Sequence, residues 1–85
     1  MKEFKYTLTD EHGIHARPAG GLVKLAKTFT SALTAEMEGK TADVKKIFSL
    51  MGLGAKKGDE VTIRAEGEDE TEAAAQLQDY LVQNM

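Results

Sequence analysis

The spacing of apolar residues switches repeatedly between two periods along this chain, and this switching limits the possible folds more than any other feature. Apolar and polar residues alternate in four segments, which is the pattern of a half-buried strand, and elsewhere they recur at helical spacing. In chain order the segments predict β-α-β-β-α-β-α. This order indicates an α+β fold, an open-faced β-sandwich in which three helices cover one face of a four-stranded antiparallel sheet.

The first strand and the first helix are predicted from two apolar stripes separated by a polar loop over residues 9–13. Pro18 lies where the helix opens, a position that tolerates proline because the first turn has no partner for its missing N–H. The inward side chains of the strand are Phe4, Tyr6 and Leu8. Those of the helix are Ala19, Leu22, Val23, Ala26 and either Phe29 or Thr30.

The middle of the chain predicts a hairpin followed by a short helix. Leu33, Ala35 and Met37 alternate with polar residues, and a turn at Glu38-Gly39 leads into a third strand over residues 41–44. Asp43 is a suitable N-cap, which favours a helix of about two turns ending near Met51 over a further buried strand.

The last third predicts a strand and a helix. The strand turns Val61, Ile63 and Ala65 inward. Asp69 and Glu72 have the spacing of a capping box. The final helix approaches Met85, and its apolar face consists of Ala74, Leu77 and Leu81, flanked by Ala73 and Tyr80.

Length, charge and cysteine content exclude several classes of function. The 85 residues suffice for a single domain, expected over residues 1–85, and the absence of cysteine excludes disulfides and thiolate chemistry. A net charge of −3 argues against general nucleic-acid binding. No apolar run is long enough to span a membrane and no signal peptide is evident, so we expect a soluble cytoplasmic protein without membrane insertion. Basic residues that the fold could gather are Arg17, Lys24, Lys27, Lys45 and Lys46.

The segment Gly13-Ile14-His15-Ala16-Arg17-Pro18-Ala19 carries the most informative chemistry. A helix start offers unpaired N–H groups and the positive end of the helix dipole, which suits an anion and phosphate above all. The neutral imidazole of His15 is a nucleophile near neutral pH, and Arg17 supplies donors that match phosphate oxygens. The segment therefore predicts a histidine that accepts a phosphoryl group.

Other candidate sites are weaker. His12 and His15 form an H-x-x-H pair, but no third ligand follows at a suitable spacing, so we expect no metal site. Gly39-Lys40-Thr41 resembles the end of a P-loop, yet Thr34 occupies the place of its first glycine and the context is a hairpin. In the short helix Leu50 and either Ile47 or Met51 are expected in the core, while Phe48 is equally suited to the core and to a partner interface.

In the segment from Gly13 to Ala19 the sequence resembles the HPr family, the histidine-containing phosphocarriers of the bacterial phosphoenolpyruvate-dependent sugar phosphotransferase system. The resemblance extends over nearly the whole chain through its length, its element order, the Gly39-Lys40 turn, Leu53-Gly54 and Gly58. The resemblance implies that Nδ1 of His15 receives a phosphoryl group from phospho-Enzyme I and passes it to IIA components. It also implies that Ala16 and Arg17 bind the phosphoryl group, without any cofactor and without enzymatic turnover. The implied docking surface consists of Gly20, Lys24, Lys27, Ile47, Phe48 and Met51.

The sequence departs from the family pattern at two places. Many family members carry a regulatory serine at the start of the second helix, where this chain has Lys46, and Ser49 one helical turn later does not inherit that role. The adjacent Gly20 and Gly21 either weaken the first helix or leave room for a close approach.

Three alternatives stay open from the sequence: a carrier in a nitrogen-related or regulatory relay, a small acylphosphatase-like hydrolase, and a binding module whose His15 is never modified. A monomer is expected for a transient shuttle.

Overall fold

The structure is a computed structural model that describes residues 1–85. Its elements follow the predicted order of four strands and three helices. They are β1 (Lys2–Thr7), α1 (Ala16–Ala26), β2 (Ala32–Met37), β3 (Lys40–Asp43), α2 (Ile47–Met51), β4 (Glu60–Glu66) and α3 (Glu70–Asn84).

The four strands form one antiparallel sheet in the order β1-β4-β2-β3. The register places apolar residues in a row across all four strands, with Phe4 opposite Ile63, Ile63 opposite Ala35, and Ala35 opposite Ala42. Because side chains alternate across a strand, this row marks the face that the helices cover. The helices pack against the sheet and against each other on that face, which confirms the open-faced sandwich.

The core lies between the sheet and the helices and contains 21 buried apolar residues. The predicted inward residues of β2 and β4 are all buried. Phe4 and Tyr6 are only partly buried because β1 is an edge strand, whereas Leu8, just beyond its end, is buried. None of the helices combines the length with the apolar character that crossing a bilayer requires.

The first helix is shorter than its apolar stripe suggests. It ends at Ala26, after which the N–H groups of Thr28 and Phe29 bond to carbonyls only three residues back. This tighter hydrogen bonding ends the α-helix. Of the two candidates for the last inward position, Phe29 is buried and Thr30 is exposed.

The second helix begins later than predicted, and the prediction that Asp43 is its N-cap was wrong. Lys46 occupies the cap position of a five-residue helix. The carboxylate of Asp43 instead accepts the N–H of Lys45 at 2.9 Å, and its carbonyl accepts the N–H of Lys46 at 3.0 Å. These bonds form a turn over residues 43–46, so the residues predicted for the first turn of the helix precede it instead.

The predicted capping box of α3 was also wrong. Asp69 is the N-cap residue, but its carboxylate makes no bond to the helix. It accepts the N–H groups of Thr30 and Ser31 at 2.8 and 2.9 Å, together with the Ser31 hydroxyl. Glu72 accepts from Gln76 on its own helix. The carboxylate of Asp69 thus fastens the start of α3 to the loop between α1 and β2.

The inward face of α3 is shifted by one position from the prediction at its first turn. Ala73 is fully buried, whereas Ala74 is half-buried. Leu77 and Leu81 are buried as expected. Residues 73, 77 and 81 lie four apart, so they share one face of the helix and pack against the core.

Candidate functional site

The loop that leads into α1 is fixed by a close backbone contact at Gly13. Its φ of 63° lies in the left-handed region, and the N–H of Ile14 donates to the carbonyl of Ala55 at 3.1 Å. A Cβ atom at position 13 would lie 2.2 Å from that carbonyl oxygen. Only glycine fits such an approach without displacement, and the approach sets the path of the chain into His15.

His15 is the N-cap residue of α1. Its backbone is extended (φ −129°, ψ 173°), its carbonyl accepts the N–H of Ala19 at 2.9 Å, and its side chain makes no capping bond. A serine or aspartate here would bond to the N–H groups of the first turn. With histidine at the cap and no acidic residue in that turn, the N–H groups of Ala16 and Arg17 have no partner within the helix.

A shallow depression beside the helix start brings the predicted phosphate ligands together. His15 has a side-chain exposure of 37%, and the exposed Arg17 forms no ion pair. The depression therefore presents an accessible imidazole, a free guanidinium and the positive end of a helix, a combination that suits a tetrahedral oxyanion. The lining residues are Asp10, His15, Arg17, Pro18, Tyr80 and Asn84.

Asp10 lies next to His15, a contact that the sequence does not predict. Its Oδ1 is 3.6 Å from Nε2 of His15 and accepts the N–H of His12 at 2.8 Å. The His12 N–H and then the nearby histidine charges hold the pKa of this carboxyl below its usual value. The His12 and His15 rings meet edge to face, with centroids 5.4 Å apart. Nothing in the polar stretch 9–13 singles out Asp10, since the contact depends on the turn geometry.

Tyr80 of α3 braces the start of α1, which explains one of the two adjacent glycines. Its hydroxyl donates to the carbonyl of Pro18 at 2.7 Å, and a Cβ atom at Gly21 would lie 2.2 Å from that hydroxyl oxygen. Burial raises the pKa of Tyr80. A pair of glycines in a helix is the signal for such a close approach, although the sequence alone does not identify the partner.

The predicted docking residues lie on α1 and α2, which pack against each other. A Cβ atom at Gly20 would be 3.7 Å from Cδ1 of Ile47. Phe48 is 86% exposed, while Ile47 and Met51 pack partly against the core and Leu50 is buried. Of the two locations that the sequence left open for Phe48, the core and the surface, the structure shows the surface.

The predicted basic residues are not all available to a ligand. Lys24 of α1 and Lys27 at its C-terminal cap are exposed, and so is Lys46 at the cap of α2. The ammonium of Lys45 donates to the carbonyl of Phe29 at 2.8 Å, which makes it a brace for the loop after α1.

The remaining sequence motifs have structural explanations. Glu38 and Gly39 both have positive φ, at 50° and 81°, in the turn between β2 and β3, and Lys40 begins β3. This conformation is typical of a tight hairpin and confirms that Gly39-Lys40-Thr41 is no phosphate loop. The structure gathers no group of three or more potential metal-ligating side chains.

A family model and several solved structures match nearly the whole chain. Residues 2–83 match the family model described as the PTS HPr component phosphorylation site. The histidine-containing phosphocarrier protein of Mycoplasma is 34% identical, with 96% of this chain and 93% of that chain covered and a TM-score of 0.94. HPr from Thermoanaerobacter tengcongensis is 37% identical, with 98% and 93% covered and a TM-score of 0.93.

A third similar structure is the catabolite repression protein Crh from Bacillus subtilis, a domain-swapped dimer. It is 39% identical, with 100% of this chain and 98% of that chain covered and a TM-score of 0.80. The family match spans nearly the whole chain, and the structural matches cover 96–100% of it. The chain belongs to the HPr family of phosphocarrier proteins of the phosphotransferase system.

Proposed function

We propose that this protein carries a phosphoryl group on Nδ1 of His15, receives it from phospho-Enzyme I and passes it to sugar-specific IIA components. The observation that carries the proposal is the exposed imidazole at the cap of α1, next to unpaired N–H groups and a free guanidinium. Each of these features favours a transferring phosphoryl group.

In the transfer step, the lone pair on Nδ1 forms a bond to phosphorus while the bond to the donor atom breaks. The donor keeps the electron pair of the broken bond. Arg17 and the N–H groups of Ala16 and Arg17 stabilise the negative charge on the three equatorial oxygens, which is the main catalytic need of phosphoryl transfer. Discharge to the next acceptor is the reverse process with a new nucleophile.

The docking surface of this proposal combines an aromatic anchor with basic residues. Phe48 is exposed at 86%, and Ile47 and Met51 lie beside it on α2. Exposed aromatic side chains of this kind commonly anchor interfaces. Lys24 of α1 and Lys27 at its C-terminal cap extend the surface and attract a partner whose docking face is acidic. Gly20 of α1 belongs to the same surface, next to Ile47.

We further propose that the second helix carries no regulatory phosphorylation site. Its cap position is Lys46, which has no hydroxyl group. The hydroxyl oxygen of Ser49 already accepts the N–H of Asp43 at 3.0 Å, so Ser49 is engaged in the turn before the helix. We therefore expect that HPr kinase phosphorylates neither position of this helix.

The protein acts in this proposal as a stoichiometric carrier, not an enzyme with turnover, and it needs no cofactor. We place it in the cytoplasm as a monomeric domain over residues 1–85. A regulatory role is a second candidate, because the chain resembles Crh, a catabolite repression protein. The accessible His15 with its anion-binding surroundings favours the carrier.

Incubation with phosphoenolpyruvate and a catalytic amount of Enzyme I tests the proposal. We expect an acid-labile mass gain of one phosphoryl group in the wild type and in His12→Ala, and none in His15→Ala. Arg17→Ala should slow the transfer by about 100- to 1,000-fold, as expected when one donor to a charged transition state is lost, with an unchanged Tm. Absence of the gain in the wild type, or its persistence in His15→Ala, would contradict the proposal.

A further inference from the structure

Asp10 is the one acidic residue among those that line the depression around His15. Its Oδ1 lies 3.6 Å from Nε2 of the imidazole, on the ring nitrogen opposite the proposed phosphoryl acceptor. A carboxylate at this nitrogen has no direct access to a group on Nδ1. It can instead act on the imidazole through the proton that Nε2 carries.

Several backbone contacts hold Asp10 in place. Its N–H donates to the carbonyl of Met85 at 3.0 Å, and its carbonyl accepts the N–H of Gly13 at 3.0 Å. Its Oδ1 accepts the N–H of His12 at 2.8 Å. Three hydrogen bonds therefore fix the main chain and the side chain of Asp10. The carboxylate oxygen is thus already beside the imidazole, and no rearrangement of the site is needed at the moment of reaction.

The other polar groups of the depression do not compete for this role. The hydroxyl of Tyr80 donates to the carbonyl of Pro18, and the amide nitrogen of Asn84 donates to the carbonyl of Tyr80. Arg17 carries only donors. Asp10 is the one carboxylate of the depression, and the structure shows no hydrogen bond between Nε2 of His15 and the oxygen atoms of Tyr80 or Asn84.

We propose that Asp10 is a positioning residue that keeps the proton of neutral His15 on Nε2 and so leaves the lone pair on Nδ1. A neutral imidazole carries one N–H, and the group bonded to it selects which nitrogen is free. When Nδ1 bonds to phosphorus, the proton stays on Nε2 and the ring becomes positive. The same carboxylate then stabilises that charge, so no proton has to move during the transfer. The effect on phosphoryl transfer rests on the proposed function, whereas the effect of Asp10 on the tautomer of His15 does not.

The tautomer of His15 is directly measurable by NMR from the ¹⁵N shifts of a uniformly labelled protein at about pH 8.5, well above the ordinary histidine pKa of about 6.5. Asp10→Asn retains an oxygen for the His12 N–H but loses the negative charge. We expect the ratio of the Nε2–H form to the Nδ1–H form to fall by about two- to fivefold, the range that a partly exposed charge contact at 3.6 Å supplies. Asp10→Ser is a second variant that can keep the turn.

Glu11→Gln is the matched control, since it removes the same charge from the neighbouring residue, which forms no ion pair. We expect its tautomer ratio and its rate of phosphorylation to equal those of the wild type. An unchanged ratio in folded Asp10→Asn, or an equal change in Glu11→Gln, would overturn the role of Asp10. A wild type that Enzyme I fails to phosphorylate would refute the carrier function while the tautomer result stood on its own.

Discussion

The two adjacent glycines of α1 face different neighbours, although both lie in the same turn of the helix. At Gly20 an added Cβ would make an ordinary contact with Ile47, 3.7 Å away. At Gly21 it would overlap the hydroxyl of Tyr80, which holds the carbonyl of Pro18. Gly21 therefore permits the brace that supports the start of α1, whereas Gly20 is sterically replaceable.

Alanine substitutions separate these roles. Gly20→Ala should raise stability by up to about 1 kcal/mol because alanine is the better helix former. Gly21→Ala should lower it by about 1–3 kcal/mol through overpacking against Tyr80. Thermal unfolding measures both effects, since about 1 kcal/mol shifts the Tm of a domain of this size by roughly 4–8 °C. In Gly21→Ala/Tyr80→Phe the loss should shrink, and a purely additive result would refute the proposed clash.

At the same scale, the sequence is informative about His15 and Arg17 because both belong to one short motif at a helix start. Asp10 and Tyr80 were not predictable in the same way. Asp10 reaches His15 through a turn whose geometry depends on Gly13 and Ala55, and Tyr80 comes from the last helix. Residues that support a site from other elements leave no local pattern.

At the scale of elements, Asp69 connects the start of α3 to the loop between α1 and β2. Its bonds to Ser31 and Thr30 lower its pKa from 3.8 to about 2. A carboxyl whose pKa is lower in the folded state stabilises the fold above its unfolded pKa. That contribution is lost as the pH falls from about 4 towards 2, when the carboxylate takes up a proton.

Asp69→Asn tests this connection. The Tm of the variant should be several degrees below that of the wild type at pH 7, and the difference should decrease as the pH falls through the range 4 to 2. Glu68→Gln, which changes an exposed carboxylate without a hydrogen-bond partner, should leave the Tm profile unchanged. A difference for Asp69→Asn that is independent of pH over this range would contradict the assignment.

The wrong capping predictions have a common physical cause at this scale. Asp43 and Asp69 both have the right residue type for a cap, but Asp69 directly precedes α3 whereas Asp43 lies three residues before the cap of α2. In each case the carboxylate bonds outside the helix, to the preceding turn for Asp43 and to a distant loop for Asp69. Periodicity predicted the element order correctly because burial requires it, whereas the choice among hydrogen-bond donors depends on the tertiary structure.

For the whole molecule, the position of the site is the property that best suits a carrier. His15 lies in a shallow depression at the start of α1, and the exposed Phe48 lies on the neighbouring α2. A donor and an acceptor can therefore each approach the same imidazole from outside. A hydrolase would instead have to hold a water and exclude solvent, which an open surface does poorly.

The most direct test of the central claim is the discharge of the isolated phosphorylated protein. We expect that an equimolar IIA component takes up one phosphoryl group for each group that His15 loses, with little release of inorganic phosphate. Without IIA the phosphorylated form should persist over the time of the transfer. Release of inorganic phosphate in place of phosphorylated IIA, or repeated turnover of an acyl phosphate, would contradict the account and favour a hydrolase.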